Sequence, residues 1–231
     1  MTVRFLGTGG AFDVQQGNSA VYLKREGGDL LIDCGHSVYP RLRQLNLADS
    51  LAGILITHTH DDHVGSLGSL LAHQRYLGGR TAPLPVYYPS PSFRDQLGGY
   101  LSYVLGNVGK YVDWRSVDEL PDIWSINTSG GHVEGLPSYA YAGRHGMQRW
   151  VFSGDLAKPE RLFTWLDQQG WHGATVFHDV TFAKENTNHT FYKALEAYQP
   201  QYRLFGYHCN PKDKPEDCTI DLVADQPGLL F

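Results

Sequence analysis

Apolar residues fall into short runs punctuated by glycine turns. Val3 to Leu6 precedes Gly7-Thr8-Gly9-Gly10, Ser19 to Leu23 precedes Glu26-Gly27-Gly28, and Leu30 to Ile32 precedes Asp33-Cys34-Gly35. Aliphatic and β-branched runs bounded by turn residues predict strands. Arg41 to Leu47 carries a brief helical pattern. Leu51 to Ile56 is continuously apolar and predicts a buried strand, and Val64, Leu67, Leu70, Leu71 and Leu77 then follow a helical spacing.

Residues 81–125 are less regular. Pro83, Pro85, Pro89, Pro91 and Gly98-Gly99 interrupt them, and they read as an inserted, lid-like segment with short helices. Beyond it, strands are expected at Tyr139 to Ala142, Trp150 to Phe152, Thr175 to Phe177 and Arg203 to Tyr207. Helices are expected near Glu160 to Gln168 and Phe191 to Tyr198. Periodicity alone supports an α/β or α+β class. Two strand-rich halves flanked by helices suggest four layers, with sheets inside and helices outside. The 231 residues fit one domain spanning 1–231.

Composition narrows the function. Hydrophobic residues make up 42% and charged residues 19%, as in ordinary globular proteins. A net charge of -5 argues against a protein built to grip a polyanion, which needs an excess of Lys and Arg. Three cysteines without a C-x-x-C pair do not make a disulfide framework. No apolar run approaches the ~20 residues that cross a bilayer, and the first run is too short for a signal peptide. The expectation is a cytoplasmic chain with no membrane partner. Eleven histidines matter only through their placement.

That placement is informative at Thr57-His58-Thr59-His60-Asp61-Asp62-His63. His58 and His60 project to one side of extended backbone. Asp62 and His63 fall where a helix begins and turn toward a neighbouring point. One strand-to-helix corner can thus aim two ligands at each of two adjacent sites. Neutral imidazole and carboxylate are ligands for zinc and similar metals.

The run resembles the metallo-β-lactamase superfamily, whose signature H-x-H-x-D-H is here His58, His60, Asp62 and His63. The resemblance implies an α+β fold, the αββα sandwich, with a two-metal site between its sheets. It also implies three more ligands: His132 after Gly130-Gly131, Asp155 in Ser153-Gly154-Asp155, and His208 after Tyr207. It assigns His58, His60 and His132 to one ion, Asp62, His63 and His208 to the other, and Asp155 to both. Two divalent ions, zinc or alternatively manganese, would activate a water and stabilise an in-line displacement. Asp33 would sit beneath the site and orient a ligand imidazole.

A second segment, His178-Asp179-Val180-Thr181-Phe182 followed by Asn188-His189-Thr190, resembles the ribonuclease Z branch. That branch carries H-E-A-T-F at this place, so Asp179 replaces Glu and Val180 replaces Ala. The resemblance makes His178 the general acid that protonates the leaving alkoxide, Asp179 its orienter and Asp62 a further member of the catalytic set. His189 would contact phosphate or support His178. The branch holds tRNA 3′-processing enzymes and small phosphodiesterases, including cyclic-nucleotide hydrolases and phage enzymes that destroy cyclic-nucleotide defence signals. Residues 81–125 carry Arg94, Lys110 and Arg115 but Tyr87, Tyr88, Phe93, Tyr100, Tyr103 and Tyr111, which suits a base better than a tRNA elbow. The expected substrate is therefore a small phosphodiester such as a cyclic nucleotide. The alternatives are a tRNA 3′-processing endoribonuclease and a lactone or thioester hydrolase. The branch commonly forms dimers, so a homodimer is expected, acting in a host's cytoplasm if phage-encoded. His36, His73, His145 and His172 match no ligand position, and Cys209 is expected to be buried behind His208.

Overall fold

The structure, a computed structural model, describes residues 2–231. The first sheet contains β1 (Thr2–Gly7), β2 (Ala20–Lys24), β3 (Asp29–Ile32), β4 (Leu51–Leu55), β5 (Leu84–Tyr88) and β6 (Val112–Ser116), neighbours in that order. The second contains β7 (Ile123–Asn127), β8 (Tyr139–His145), β9 (Gln148–Phe152), β10 (Thr175–Asp179), β11 (Arg203–Tyr207) and β12 (Asp221–Leu222), again in chain order. Each sheet joins three strands by antiparallel pairing and the rest by parallel pairing. The helices are α1 (Val38–Gln44), α2 (Asp61–Val64), α3 (Leu67–Tyr76), α4 (Pro91–Leu105), α5 (Glu160–Gln168) and α6 (Tyr192–Glu196).

Strand alternation builds the layers. Phe5, Val21, Ile32 and Leu55 from the first sheet meet Tyr141, Phe152, Phe177 and Tyr207 from the second in a shared inner core. Ile54 and Val86 face outward into a second core with Leu42 of α1, Leu70 of α3 and Leu97 of α4. Val151, Val176 and Leu204 face outward on the other side, against Phe163 of α5 and Leu195 of α6. The result is the four-layer αββα sandwich expected.

Residues 81–125 are placed differently from the expected lid. They supply β5, α4 and β6, which extend the first sheet and cover its outer face, and the start of β7. The prolines account for the misleading pattern. Pro91 opens α4, where its missing N–H is not needed. Pro85 lies in β5 outside the stretch paired with β4, which involves Val86 and Tyr87, so it removes no bond from that ladder.

The parallel strands share a direction, so their C-terminal ends gather on one edge. Asp33 follows β3, His58 follows β4, Asp155 follows β9, Asp179 ends β10 and His208 follows β11. This crevice is where parallel α/β sheets commonly bind ligands. Asp33 and His208 adopt positive φ angles of 67° and 63°, a conformation costly for residues with a β-carbon. Gly154 has φ 61°, and a β-carbon there would lie 2.9 Å from Thr57 Cβ. Glycine lets the chain turn after β9 and deliver Asp155 against the histidine motif.

Candidate metal centre

The His58–His63 motif turns from β4 into α2 as expected, and one buried carboxylate organises it. Asp33 Oδ1 accepts from the Thr57 backbone N–H at 2.7 Å, and Oδ2 accepts from Thr57 Oγ1 at 2.8 Å. Asp33 Oδ2 also lies 2.8 Å from His63 Nδ1. A carboxylate accepts, so His63 carries a proton on Nδ1 and turns Nε2 inward. Burial opposes a second proton on this ring, but Asp155 and Asp33 favour it, and a bound cation would displace it. The committed Thr57 hydroxyl then accepts from His58 Nδ1, 3.0 Å away, which leaves His58 Nε2 as an inward-facing lone pair. At His132, Nδ1 donates to the Asn188 carbonyl at 2.7 Å. Its Nε2 is thereby an acceptor as well.

These lone pairs converge. His60 Nδ1 lies 3.1 Å from His58 Nε2 and 3.2 Å from His132 Nε2. His63 Nε2 sits 3.3 Å from Asp155 Oδ1 and 3.4 Å from Asp62 Oδ2. His208 Nε2 lies 3.1 Å from Asp62 Oδ2 and 3.5 Å from Asp155 Oδ2. The expected ligands form two sets, His58, His60, His132 and Asp155, and Asp62, His63, Asp155 and His208, each with its donor atoms within 4.8 Å of one another; Asp155, Asp179 and His189 meet the same distance as a third, smaller group. All seven expected ligand residues are brought together, with Asp155 in both sets.

The donor set fits two divalent cations. Buried His63 Nε2 and Asp155 Oδ1 have no hydrogen-bond partner, although buried polar atoms are ordinarily satisfied. Burial holds the His58 imidazole well below its ordinary pKa, in the neutral form that ligates metals. Burial also pushes the Asp155 carboxyl upward, but His208 and His63 outweigh it and hold Asp155 ionised.

The placement of His178 departs from expectation. Val176 and His178 face the outer layer, whereas Phe177 faces the inner core. The His178 ring stacks on Phe163 of α5, with centroids 6.1 Å apart and planes 4° from parallel. It is fully buried, and its Nδ1 donates to the Asp179 carbonyl at 2.7 Å. His178 faces helices rather than the cleft, a position that offers no support for the general-acid role expected for it, although its Nδ1 also lies 3.1 Å from Asp179 Oδ1, the contact expected of an orienting carboxylate. His189 occupies the cleft instead. Its Nδ1 lies 2.9 Å from Asp179 Oδ2 and 3.9 Å from Asp155 Oδ2. Its ring sits 4.8 Å from that of His208 and 5.4 Å from that of His132. Burial opposes a charge on His189, while Asp179 raises its pKa above the ordinary value.

Two contributors carried no sequence signal, the Thr57 hydroxyl and the Asn188 carbonyl. His36 pairs with Asp61 at 2.7 Å and His73 with Asp49 at 2.7 Å, both outside the two ligand sets. A cavity of about 750 Å³ lined by His145 and His172 likewise contains none of these ligands.

Fold and ligand arrangement define a member of the metallo-β-lactamase superfamily, in its ribonuclease Z-like branch. The fold matches the metallo-β-lactamase fold protein YhfI from Bacillus subtilis, with a TM-score of 0.69, 18% identity and coverage of 90% of this chain and 85% of that one. It also matches the short form of human tRNase Z, ELAC1, with a TM-score of 0.66, 20% identity and coverage of 93% and 95%. A family model described as "Anti-Pycsar protein Apyc1" matches residues 1–224, and the chain belongs to that family. The Anti-Pycsar protein Apyc1 of Bacillus phage vB_BsuM-Goe3 is 46% identical over 194 residues, covering 75% of this chain and 73% of the phage protein. A ribonuclease Z of Gemmatimonas aurantiaca is 30% identical over 164 residues, covering 68% of this chain and 52% of that enzyme.

Proposed function

We propose that the chain is a dinuclear-metal phosphodiesterase that hydrolyses a cyclic nucleotide, with residues 1–231 acting as one domain. The supporting observation is the His189–Asp179 pair standing beside two ligand sets that share Asp155. His58, His60 and His132 would hold one ion and Asp62, His63 and His208 the other, with Asp155 between them. Imidazole and carboxylate donors suit zinc, with manganese as the alternative. When bound, the ions supply Lewis acidity toward the phosphoryl group and a water of lowered pKa.

The chain's own residues handle the leaving group. Asp179 holds the His189 Nδ1 proton, so Nε2 is the atom available to the cleft. A proton on Nε2 passes to the sugar oxygen as its bond to phosphorus breaks, and the cyclic phosphate opens to a monophosphate with a free sugar hydroxyl. A lactone or thioester hydrolase on this fold has less need of such a donor. A tRNA-processing role is disfavoured by the net charge of -5 and by the use of β5, α4 and β6 in the sheet and its covering layer. Relatives named anti-Pycsar proteins occur in Bacillus phages, and loss of a cyclic-nucleotide signal is chemistry suited to a phage acting against its host.

The site of action is the cytoplasm, the host's if the chain is phage-encoded. No helix of the described residues is long and apolar enough to cross a membrane. The partner is a second copy of the chain. Tyr76 at the end of α3, Leu77 just after it, and Tyr103 and Val104 on α4 expose apolar surface, and sedimentation velocity tests whether they close a dimer. For the reaction, a cyclic nucleotide, bis(p-nitrophenyl) phosphate and a lactone are assayed in parallel with the metal-loaded protein. Turnover of both phosphodiesters supports the reading; turnover of the lactone alone rejects it.

A further inference from the structure

Beside His189 and His208 lies a cavity of about 630 Å³, walled by Phe12, Phe182, Asn186 and Asn210. Its volume falls in the roughly 300–1,000 Å³ range of small-molecule pockets. Three features indicate what it holds.

The first is position. In a cyclic nucleotide the leaving oxygen belongs to the nucleoside, so the nucleoside lies on the side of the group that protonates it. His189 is that group in the proposed reaction, and it forms one wall of the cavity. The second is charge. Asp13 and Asp213 also line the cavity and disfavour the phosphate there, whereas an uncharged base meets no such repulsion.

The third is the hydrogen-bonding character of the walls. Asn186 Oδ1 accepts from the Asn188 backbone N–H at 3.0 Å, and Asn210 Oδ1 accepts from the Lys212 backbone N–H at 3.1 Å. Backbone N–H groups only donate, so these bonds fix both amides with oxygen inward and leave the NH₂ groups as free donors. Phe182 adds an apolar face. It is half-buried and packs against Tyr192, with ring centroids 6.0 Å apart.

We propose that this cavity is the nucleobase subsite, with Phe182 packing against the base and the Asn186 and Asn210 amides donating to its carbonyl or ring-nitrogen acceptors. The proposal rests on the phosphodiesterase reading above. Phe12, almost wholly exposed at the rim, forms the outer edge of the same subsite.

The test compares 3′,5′-cyclic AMP with a base-free analogue, the 3′,5′-cyclic phosphate of methyl riboside, in the wild type, Phe182→Ala and Asn210→Ala. The measured quantity is the kcat/KM advantage of the base-bearing substrate. Stacking on an aromatic side chain commonly contributes tenfold or more by alanine substitution, so Phe182→Ala should cut that advantage roughly tenfold. Asn210→Ala, at an exposed position, should cut it several-fold; the change also removes the cap on the Lys212 N–H, so a thermal melt checks that the variant stays folded. An advantage equal to that of the wild type in both variants overturns the subsite while leaving the phosphodiesterase reading intact. If the wild type hydrolyses no phosphodiester, that reading fails, and calorimetric titration of cyclic AMP into the same three proteins decides the subsite separately. Weaker binding in both variants supports it; equal binding, or none to the wild type, overturns it.

Discussion

Asp179 Oδ2 and His189 Nδ1 lie 2.9 Å apart across ten residues of chain, joining the end of β10 to the loop before α6. The contact places one imidazole at the cleft, facing the ligand sets, and leaves His178 packed behind the sheet. It separates two histidines whose roles the primary structure does not distinguish.

The separation is testable through the leaving group. His189→Ala should slow hydrolysis of an alkyl phosphodiester by about 10²–10⁴-fold, and that of bis(p-nitrophenyl) phosphate far less, because nitrophenolate departs without a proton. His178→Ala should slow both equally, since its expected defect is a cavity against Phe163 costing on the order of 1–3 kcal/mol of stability. Steady-state kinetics on the two substrates, with thermal melts of each variant, check this. A leaving-group-dependent effect from His178→Ala would return the proton to that residue.

The sequence patterns account for the candidate ligand sets better than for the proposed acid. His58, His60, Asp62, His63, Asp155 and His208 follow strands whose apolar runs are unambiguous, so their gathering at one edge follows from parallel pairing. His178 and Asp179 are adjacent on a strand, where a shift of one residue exchanges the cleft for the helix layer. Resemblance alone did not settle that phase. His189 reaches Asp179 through a loop, and no periodicity predicts a loop's path. The 81–125 segment hides its strands and helix for a related reason. Its prolines occupy a strand end and a helix start, where their missing N–H groups are tolerated, although the same residues ordinarily mark loops.

Asp155 contributes to both ligand sets, so Asp155→Ala should lose both ions together, whereas His132→Ala should lose one. Elemental analysis after gel filtration reads the stoichiometry directly. Activity should fall to background in Asp155→Ala. Two ions retained in that variant would show that the carboxylate does not join the sets.

Asp33 acts through His63 and Thr57 without entering either ligand set. Asn shares the tolerance for the positive φ seen at Asp33, so Asp33→Asn should keep the turn. It should also weaken the hold on the His63 Nδ1 proton. The expected result is about 10–100-fold weaker metal affinity, with a far-ultraviolet circular dichroism spectrum like that of the wild type. Competition with a chromophoric chelator measures the affinity. Wild-type affinity in the variant would assign Asp33 a role in folding alone.

Removal of metal should lower stability as well as activity. Without ions, converging lone pairs and buried atoms such as His63 Nε2 and Asp155 Oδ1 lack partners, which is unfavourable in the native state. Ions that bind the folded chain stabilise it by mass action, about 2.7 kcal/mol for each site at a free concentration one hundred times its Kd. Protein stripped by a chelator should therefore melt several degrees lower, and its Tm should rise with added zinc or manganese until both sites fill. Magnesium should restore less, since it favours oxygen ligands and these sets are rich in imidazole. A Tm that ignores all three metals would mean that the two ligand sets do not bind them.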